Sequence, residues 1–556
     1  MTTPCVPYRW VELLSLDDVV TFMELERLPA YGFTGATLWS SFMNHGLDSY
    51  WYTIPVVYRR FPEFNEVRDL NRIKEGAEFL TEFIRRAHRL GLTVQHNYDL
   101  CNFVGGPPTN TGSAFDVNRA ALKQVHPEWL NEYDEADFSK DCWYEFMEAE
   151  VEDFLTQFPG LDGLYCWNCE NSLFTPSFLH HQSIPHGEIV RRATKVVYDV
   201  CRRQGVLMTH DLHTIGGDVE VTEAIIAAAA EYPELMLGAD CTYGDWQFFL
   251  PTTPWLDKMR AHNRIYVGFD AAGEYFGKGK VLGVWPNWMI RHFTDAKAFT
   301  PTCVTVRTEI WSRGISAFAS PFLELNVRTL MTLAIQGEID LDAELEAWWR
   351  DHFDGPWSPG VKELILRLES LQANITHINY SGCTNSSTAF PGSILLANGK
   401  VAFFEQFAEP GARFDAIPAN WRLKAGDTVK PFAVLRQEKL DGMALCEDAV
   451  EKLEHLGLPE ETRRLLETRF LQARDVAGAY LYLLDAAHAL NEQIGEYRDN
   501  TLPDPKAALR EALRHLRALA DDMDARWGAS FYDEFTLAMR TSAVSIPPVY
   551  LPEGKA

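Results

Sequence analysis

Along the first 310 positions, short apolar and β-branched runs alternate with longer stretches in which apolar residues recur every three or four places. The short runs are 5–13 (CVPYRWVEL), 33–39 (FTGATLW), 92–98 (LTVQHNY), 161–167 (LDGLYCW), 205–211 (GVLMTHD), 234–240 (ELMLGAD), 264–270 (RIYVGFD) and 303–309 (CVTVRTE). Runs of this length, bounded by turn residues, read as strands, and the intervening 71–90 and 187–204 carry helical spacing. Strand–helix alternation repeated eight times predicts an α/β fold of the (β/α)8 TIM-barrel type. An open doubly wound sheet is the alternative, but no GxGxxG follows the first run. That first run is the least regular of the eight, because it contains Pro7 and alternates poorly.

Two connections, 40–70 and 99–140, are long and rich in Gly, Pro, Asn and aromatic residues, as loops on the catalytic face of a barrel commonly are. From Ser320 onward the strand–helix units stop. Helical periodicity covers 321–376, 430–456, 459–497 and 504–527, with a Gly/Ser/Thr/Asn-rich interruption at 380–399. The expected organisation is a catalytic barrel over 1–320 and an all-α C-terminal domain over 321–556.

Composition narrows the function. Apolar residues make up 46% and charged residues 23% of the 556, which excludes a largely disordered chain. The net charge of −27 repels phosphate backbones and anionic lipid, so neither nucleic acid nor a membrane is expected as a partner. No run approaches a membrane span, and the N-terminal residues lack the pattern of a secretory signal. Cys166, Cys169, Cys241 and Cys303 lie in or beside apolar runs, as buried reduced thiols do, and the expected location is cytoplasmic. The 16 tryptophans, many of them beside Gly, Asp and Glu in the first 311 residues, suit either sugar stacking or a large core.

Barrel enzymes carry their reacting groups at the C-terminal ends of the strands. Strand 2 leads into Trp39, strand 3 carries Asn97, and strand 4 leads to Asn168 and Glu170. Strand 5 gives His210, Asp211 and His213; strand 6 gives Asp240, Tyr243, Asp245 and Trp246. Strand 7 leads to Glu274, Tyr275 and Lys278, and strand 8 to Arg307 and Trp311. Glu170 and Glu274 form the sharpest pair, because glycoside hydrolysis needs one protonated carboxyl and a second carboxylate, and strands 4 and 7 lie across the barrel. Asp240 or Asp245 offers a third carboxylate to share the role of base. Lys278, Arg307 and nearby basic residues make the strand 7–8 rim able to hold a uronate, with Trp285 and Trp288 as stacking faces. His210, Asp211 and His213 read as hydrogen-bonding groups for sugar hydroxyls rather than metal ligands, and neither a metal nor another cofactor is called for.

The segment LDGLYCWNCENS resembles the D-G-x-x-x-x-x-x-E strand of the α-glucuronidase-type glycoside hydrolases (family 67 and relatives). GEYFGKGK resembles their Glu-Tyr-x-Gly stretch, and RGISAFASPFLELNVRTLMTLAIQGEIDLDAELEAWW is similar to their entry into a helical domain. The resemblance spans about residues 160–350. It implies Glu170 as the acid, and Glu274 with Asp240 or Asp245 as the base that activates water, with inversion. The family's N-terminal β-domain has no counterpart in these 556 residues. Asn168 and Glu170 also resemble the Asn-Glu pair of retaining barrel glycosidases, so retention with Glu274 as nucleophile stays open.

The resulting expectation is a glycoside hydrolase that is exo-acting on an oligosaccharide, with a homodimer through the helical domain. A metal-dependent sugar isomerase or lyase built on His210, Asp211, His213 and Asp240 is one rival. A non-catalytic sugar-binding barrel is the other.

Overall fold

The computed structural model describes residues 4–13, 18–40, 54–99, 114–167, 181–212, 219–242, 246, 248–262, 264–274, 283–309, 316–378, 381–382, 430–494, 500–542, 546 and 550. Eight parallel strands close into a barrel in chain order: β1 (Tyr8–Leu13), β2 (Gly35–Leu38), β3 (Thr93–Asp99), β4 (Gly163–Trp167), β5 (Leu207–Asp211), β6 (Met236–Asp240), β7 (Ile265–Asp270) and β8 (Cys303–Arg307). Each strand falls within the run expected to form it, except that β3 ends one residue later, on Asp99. The barrel closes where β1 pairs with β8, Trp10 opposite Thr305 and Glu12 opposite Arg307.

Both faces of every strand are covered, so the period of two sorts residues between two interiors rather than between core and water. Val11, Leu38, Val94, Leu164, Leu237, Val267 and Val306 face the surrounding helices in one large cluster. Trp10, Trp39, Tyr165, Met236, Tyr266 and Cys303 form a separate cluster enclosed by the strands. The large rings inside require space on their neighbours. A Cβ at Gly238 would lie 1.3 Å from Tyr266 Cδ1, so only glycine lets that ring cross the barrel.

The helices begin and end where the sequence provides stops. Leu70–Arg89 is capped by Asp69, whose carboxylate accepts from the amides of Asn71 and Arg72. His186–Gln204 ends on Gly205 at φ 71°. Of the long connection after β2, residues 54–58 are held by Arg68, which donates to the carbonyls of Ile54 and Val56. Glu150 accepts there from the Tyr58 hydroxyl at 2.6 Å.

Beyond β8, helix Pro321–Gln336 starts at the Ser320 cap and ends on Gly337. Its Leu323, Val327, Leu330 and Ala334 pack with the barrel, while Phe322 and Leu325 belong to a second core with Trp348 and Trp349. That second core is built by helices Leu341–His352, Pro359–Thr376, Phe432–Leu453, Glu460–Ile494, Pro505–Trp527 and Ala529–Thr541. Lys439 is fully buried in it and donates to the carbonyls of Asn374, Ile375 and His377, around the C-terminal end of Pro359–Thr376. Glu369 of that same helix accepts from the amides of Asn287 and Trp288, capping barrel helix Pro286–Lys297. The helical region is thus joined to the barrel by shared apolar residues and by a cap. Among the described residues, no helix is long and apolar enough to cross a membrane.

Candidate active site

The inward positions at the C-terminal ends of the strands are polar. Glu12 stands on β1, Asn97 on β3, Asp211 on β5, Asp240 on β6, Asp270 on β7 and Arg307 on β8, each less than a tenth exposed. A buried charge must be paired or it neutralises, and Arg307 is the hub of the pairing. Its Nη1 donates to Glu274 Oε2, and its Nε lies 3.9 Å from Glu12 Oε2. The guanidinium rests 4.3 Å from the centre of the Trp246 ring and 5.4 Å from that of Trp39. Asp240 and Asp270 add further negative charge around it, so the guanidinium stays protonated.

Glu274 reaches Arg307 because the segment DAAGE folds back on its first residue. The Asp270 carboxylate accepts from the backbone amides of Ala272, Gly273 and Glu274 at 2.8–3.1 Å. Gly273 adopts φ 88°, a conformation glycine takes without strain. Burial nevertheless raises the Asp270 pKa, against the opposing effects of Arg307 and these amides. Glu12 is fixed from two sides: Trp39 Nε1 donates to it at 3.2 Å and Thr305 Oγ1 at 3.0 Å. Burial pushes its carboxyl up to about 7, outweighing Arg307. Lower in the barrel, Tyr165 donates its hydroxyl to Asp211 at 2.7 Å and meets the Tyr266 hydroxyl at 3.1 Å. The Asn97 side chain is 1% exposed, and neither of its amide atoms has a hydrogen-bond partner among the described residues. An unsatisfied buried amide of this kind suits a ligand that supplies the missing bonds.

The structure therefore brings Trp39, Trp246, Glu274 and Arg307 into one contact group, with Asp240 beside them and Asn97 and Asp211 on the same inner face. Three expectations are corrected. His210 sits in register with Cys166 and Leu237, both on the helix-facing side of the sheet. The pleat thus turns it away from the barrel mouth, and burial lowers its pKa to about 4. Trp285 and Trp288 are 0% and 1% exposed, and the Trp285 indole donates to the Asp270 carbonyl. They are core residues with no face to offer a sugar. Arg307 itself is 4% exposed and engaged by acids, not a rim cation. Asn168, Glu170, His213, Tyr243, Asp245, Tyr275, Lys278 and Trp311 lie outside the described residues. Among the described residues, no group of three or more His, Cys, Asp or Glu side chains is arranged to hold a metal ion.

Asp270 is among the acids that the sequence places at the end of strand 7, whereas Glu12, Tyr165 and Tyr266 were not singled out from the sequence. Period-two reading of RWVEL would have placed Trp10 and Glu12 on one face and Val11 and Leu13 on the other. Glu12 also carries a stability prediction. Its folded-state pKa is raised, so its stabilising share is fully present below pH 4.5 and is lost as pH rises through about 7. That loss amounts to about 3 kcal/mol. Glu12→Gln removes the titration but forfeits the bond from Trp39, about 1 kcal/mol. Urea unfolding should therefore find the variant slightly less stable than wild type near pH 4.5 and more stable near pH 8; parallel stability curves would contradict the assignment.

The sequence matches no family model, and no curated protein matches it. Similar solved structures exist. A GH138 enzyme targeting pectin rhamnogalacturonan II superposes with a TM-score of 0.60 at 12% identity, covering 94% of this chain and 78% of that one. An O-GlcNAc hydrolase variant from Thermobaculum terrenum has a TM-score of 0.40 at 8% identity, covering 97% of this chain and 96% of that one. A protein designated CpGH84B has a TM-score of 0.40 at 10% identity, covering 93% and 74%. The first likeness is one of fold. The chain is a (β/α)8 barrel followed by a helical region, with a buried carboxylate–arginine array at the barrel mouth.

Proposed function

We propose that this protein is a glycoside hydrolase in which Glu274 activates the attacking water. The observation that carries this reading is the placement of Glu274, buried at the mouth and fixed by Arg307 on one side and by the Asp270-wrapped turn on the other. A carboxylate built this rigidly at the end of a barrel strand is suited to act as a base or nucleophile. The fold shared with the GH138 enzyme supports the same reading.

In the inverting scheme Glu170 donates its proton to the glycosidic oxygen as the bond to the anomeric carbon breaks. Water adds to that carbon from the opposite face and passes its proton to Glu274, with Asp240 or Asp245 assisting. A short oligosaccharide trimmed from one end remains the proposed substrate. Glu274 and Glu12 already share the charge of Arg307, so a uronate carboxylate would depend on Lys278. Four carboxyls around one arginine favour a neutral sugar. The isomerase or lyase reading is weakened by His210, which faces away from Asp211.

A panel of aryl glycosides and uronides, followed by proton NMR of the first-formed anomer, tests the proposal. The expected result is hydrolysis of a neutral glycoside with inversion. Failure to cleave any member of the panel would overturn the hydrolase reading. A product that keeps the substrate's configuration would replace the inverting scheme with the retaining one.

A further inference from the structure

Glu12 is among the carboxyls in the polar interior of the barrel that the proposed mechanism does not use. Glu12 is 1% exposed, lies below Glu274, and is bound by residues that also touch the catalytic group's partner. Trp39 donates its indole N–H to Glu12 and lays its ring beside the Arg307 guanidinium. Thr305, on the same strand as Arg307 and two residues before it, donates to the other oxygen of Glu12. Arg307 is thus held between two acids, with Glu274 at Nη1 and Glu12 on the Nε flank, while Trp246 covers its face.

We propose that Glu12 is a positioning residue for Glu274: it anchors Arg307 and, when ionised, takes a share of its charge, and so sets how much of that charge reaches the catalytic carboxylate. The proposal rests on the reading of Glu274 as the water-activating group. One cation facing two carboxylates divides its attraction between them, and in a buried site that division is weakly screened. The groups around Glu12 make its own charge state responsive. Asp240 on β6 repels the ionised form and Arg307 on β8 favours it, while the Tyr165 and Tyr266 hydroxyls and the Cys303 thiol complete the surroundings as neutral groups. When Glu12 is ionised, Arg307 is shared and Glu274 binds its proton more tightly. When Glu12 is neutral, more of the attraction of Arg307 falls on Glu274, and Glu274 becomes a weaker base.

The test uses the full chain with 13C-carboxyl-labelled glutamate, the Glu12 resonance being identified by its loss in Glu12→Gln. Glu12 ionises only near pH 7, so the coupling is read at its own midpoint: Glu274→Gln, which leaves more of Arg307 to favour the ionised Glu12, should lower that midpoint by about one pH unit, a tenfold change in proton affinity, and Glu274→Asp should restore most of it. On any aryl glycoside that is hydrolysed, the wild-type kcat/KM profile should carry an inflection near pH 7 that Glu12→Gln abolishes with KM little changed. If Glu12→Gln does not fold, Thr305→Val, which removes one donor holding the ionised carboxyl, should move the midpoint and the inflection to higher pH. A Glu12 midpoint unmoved in folded Glu274→Gln overturns the role of Glu12, even if Glu274 proves essential. If no glycoside is cleaved, the hydrolase reading fails, and the midpoint still decides whether Glu12 and Glu274 are coupled through Arg307.

Discussion

Glu274→Gln should reduce turnover by about three orders of magnitude while the fold is retained, in line with the 10²–10⁴-fold contribution of a positioned base. Glutamine is nearly isosteric, its amide oxygen can still accept from Arg307, and its backbone amide still binds Asp270. The change therefore removes proton acceptance without removing a structural contact. Steady-state kinetics on the best aryl glycoside, with thermal unfolding as a control for folding, would measure the loss. An inverting base and a retaining nucleophile both predict a large defect, so a mechanism-based fluoro-sugar is added. It should leave Glu274 unlabelled in the wild type if inversion holds. A decrease of less than tenfold would remove Glu274 from the chemistry altogether.

The second large effect concerns stability. Arg307→Met replaces the guanidinium that contacts Glu274 and Glu12 by an apolar chain of similar length. Breaking a buried ion pair by deleting one partner costs about 3–5 kcal/mol, because the remaining charge is left uncompensated. Here Glu12, Glu274, Asp240 and Asp270 all lose their shared cation. The folded variant must hold these carboxyls protonated, so their folded-state values rise above those of the unfolded chain. Its stability is then best preserved below about pH 4 and falls as pH rises, which widens the gap to wild type towards about pH 8. Urea midpoints at the two ends of that range give the comparison. A deficit that does not depend on pH would mean that Arg307 acts through packing on Trp246 rather than through charge.

The barrel was legible because a strand buried on both faces has few ways to be written: a short apolar run ending in the polar residue that reaches the mouth. Asp211, Asp240 and Asp270 each end such a run, and each marks a strand terminus in the structure. What the one-dimensional reading lost was parity. His210 and Asp211 are adjacent and equally polar, yet the pleat sends one to the helices and the other to the barrel interior. Trp285 was misread for a related reason, because an aromatic residue next to Pro286 at a helix start is as suited to the core as to a rim. Glu12 was missed because its meaning is non-local. A single Glu in an irregular strand has no visible counterpart until β1 closes on β8, which brings in Thr305 from 293 residues away. Eight of the candidate residues, Glu170 among them, lie outside the described residues, and for these the sequence shows the chemistry available but not its arrangement.

Helix Pro321–Gln336 has a consequence for how the chain can be divided. A cut after residue 320 would strip Leu323, Val327, Leu330 and Ala334 from the outer wall of the barrel. It would also deprive the remaining helices of Phe322 and Leu325. Neither fragment would keep a complete apolar interior, and the barrel piece would in addition lose the Glu369 cap on Pro286–Lys297. The two regions are therefore expected to melt as one cooperative unit, and a shortened chain is better trimmed from the far end of the helical region than at the point where the strands stop.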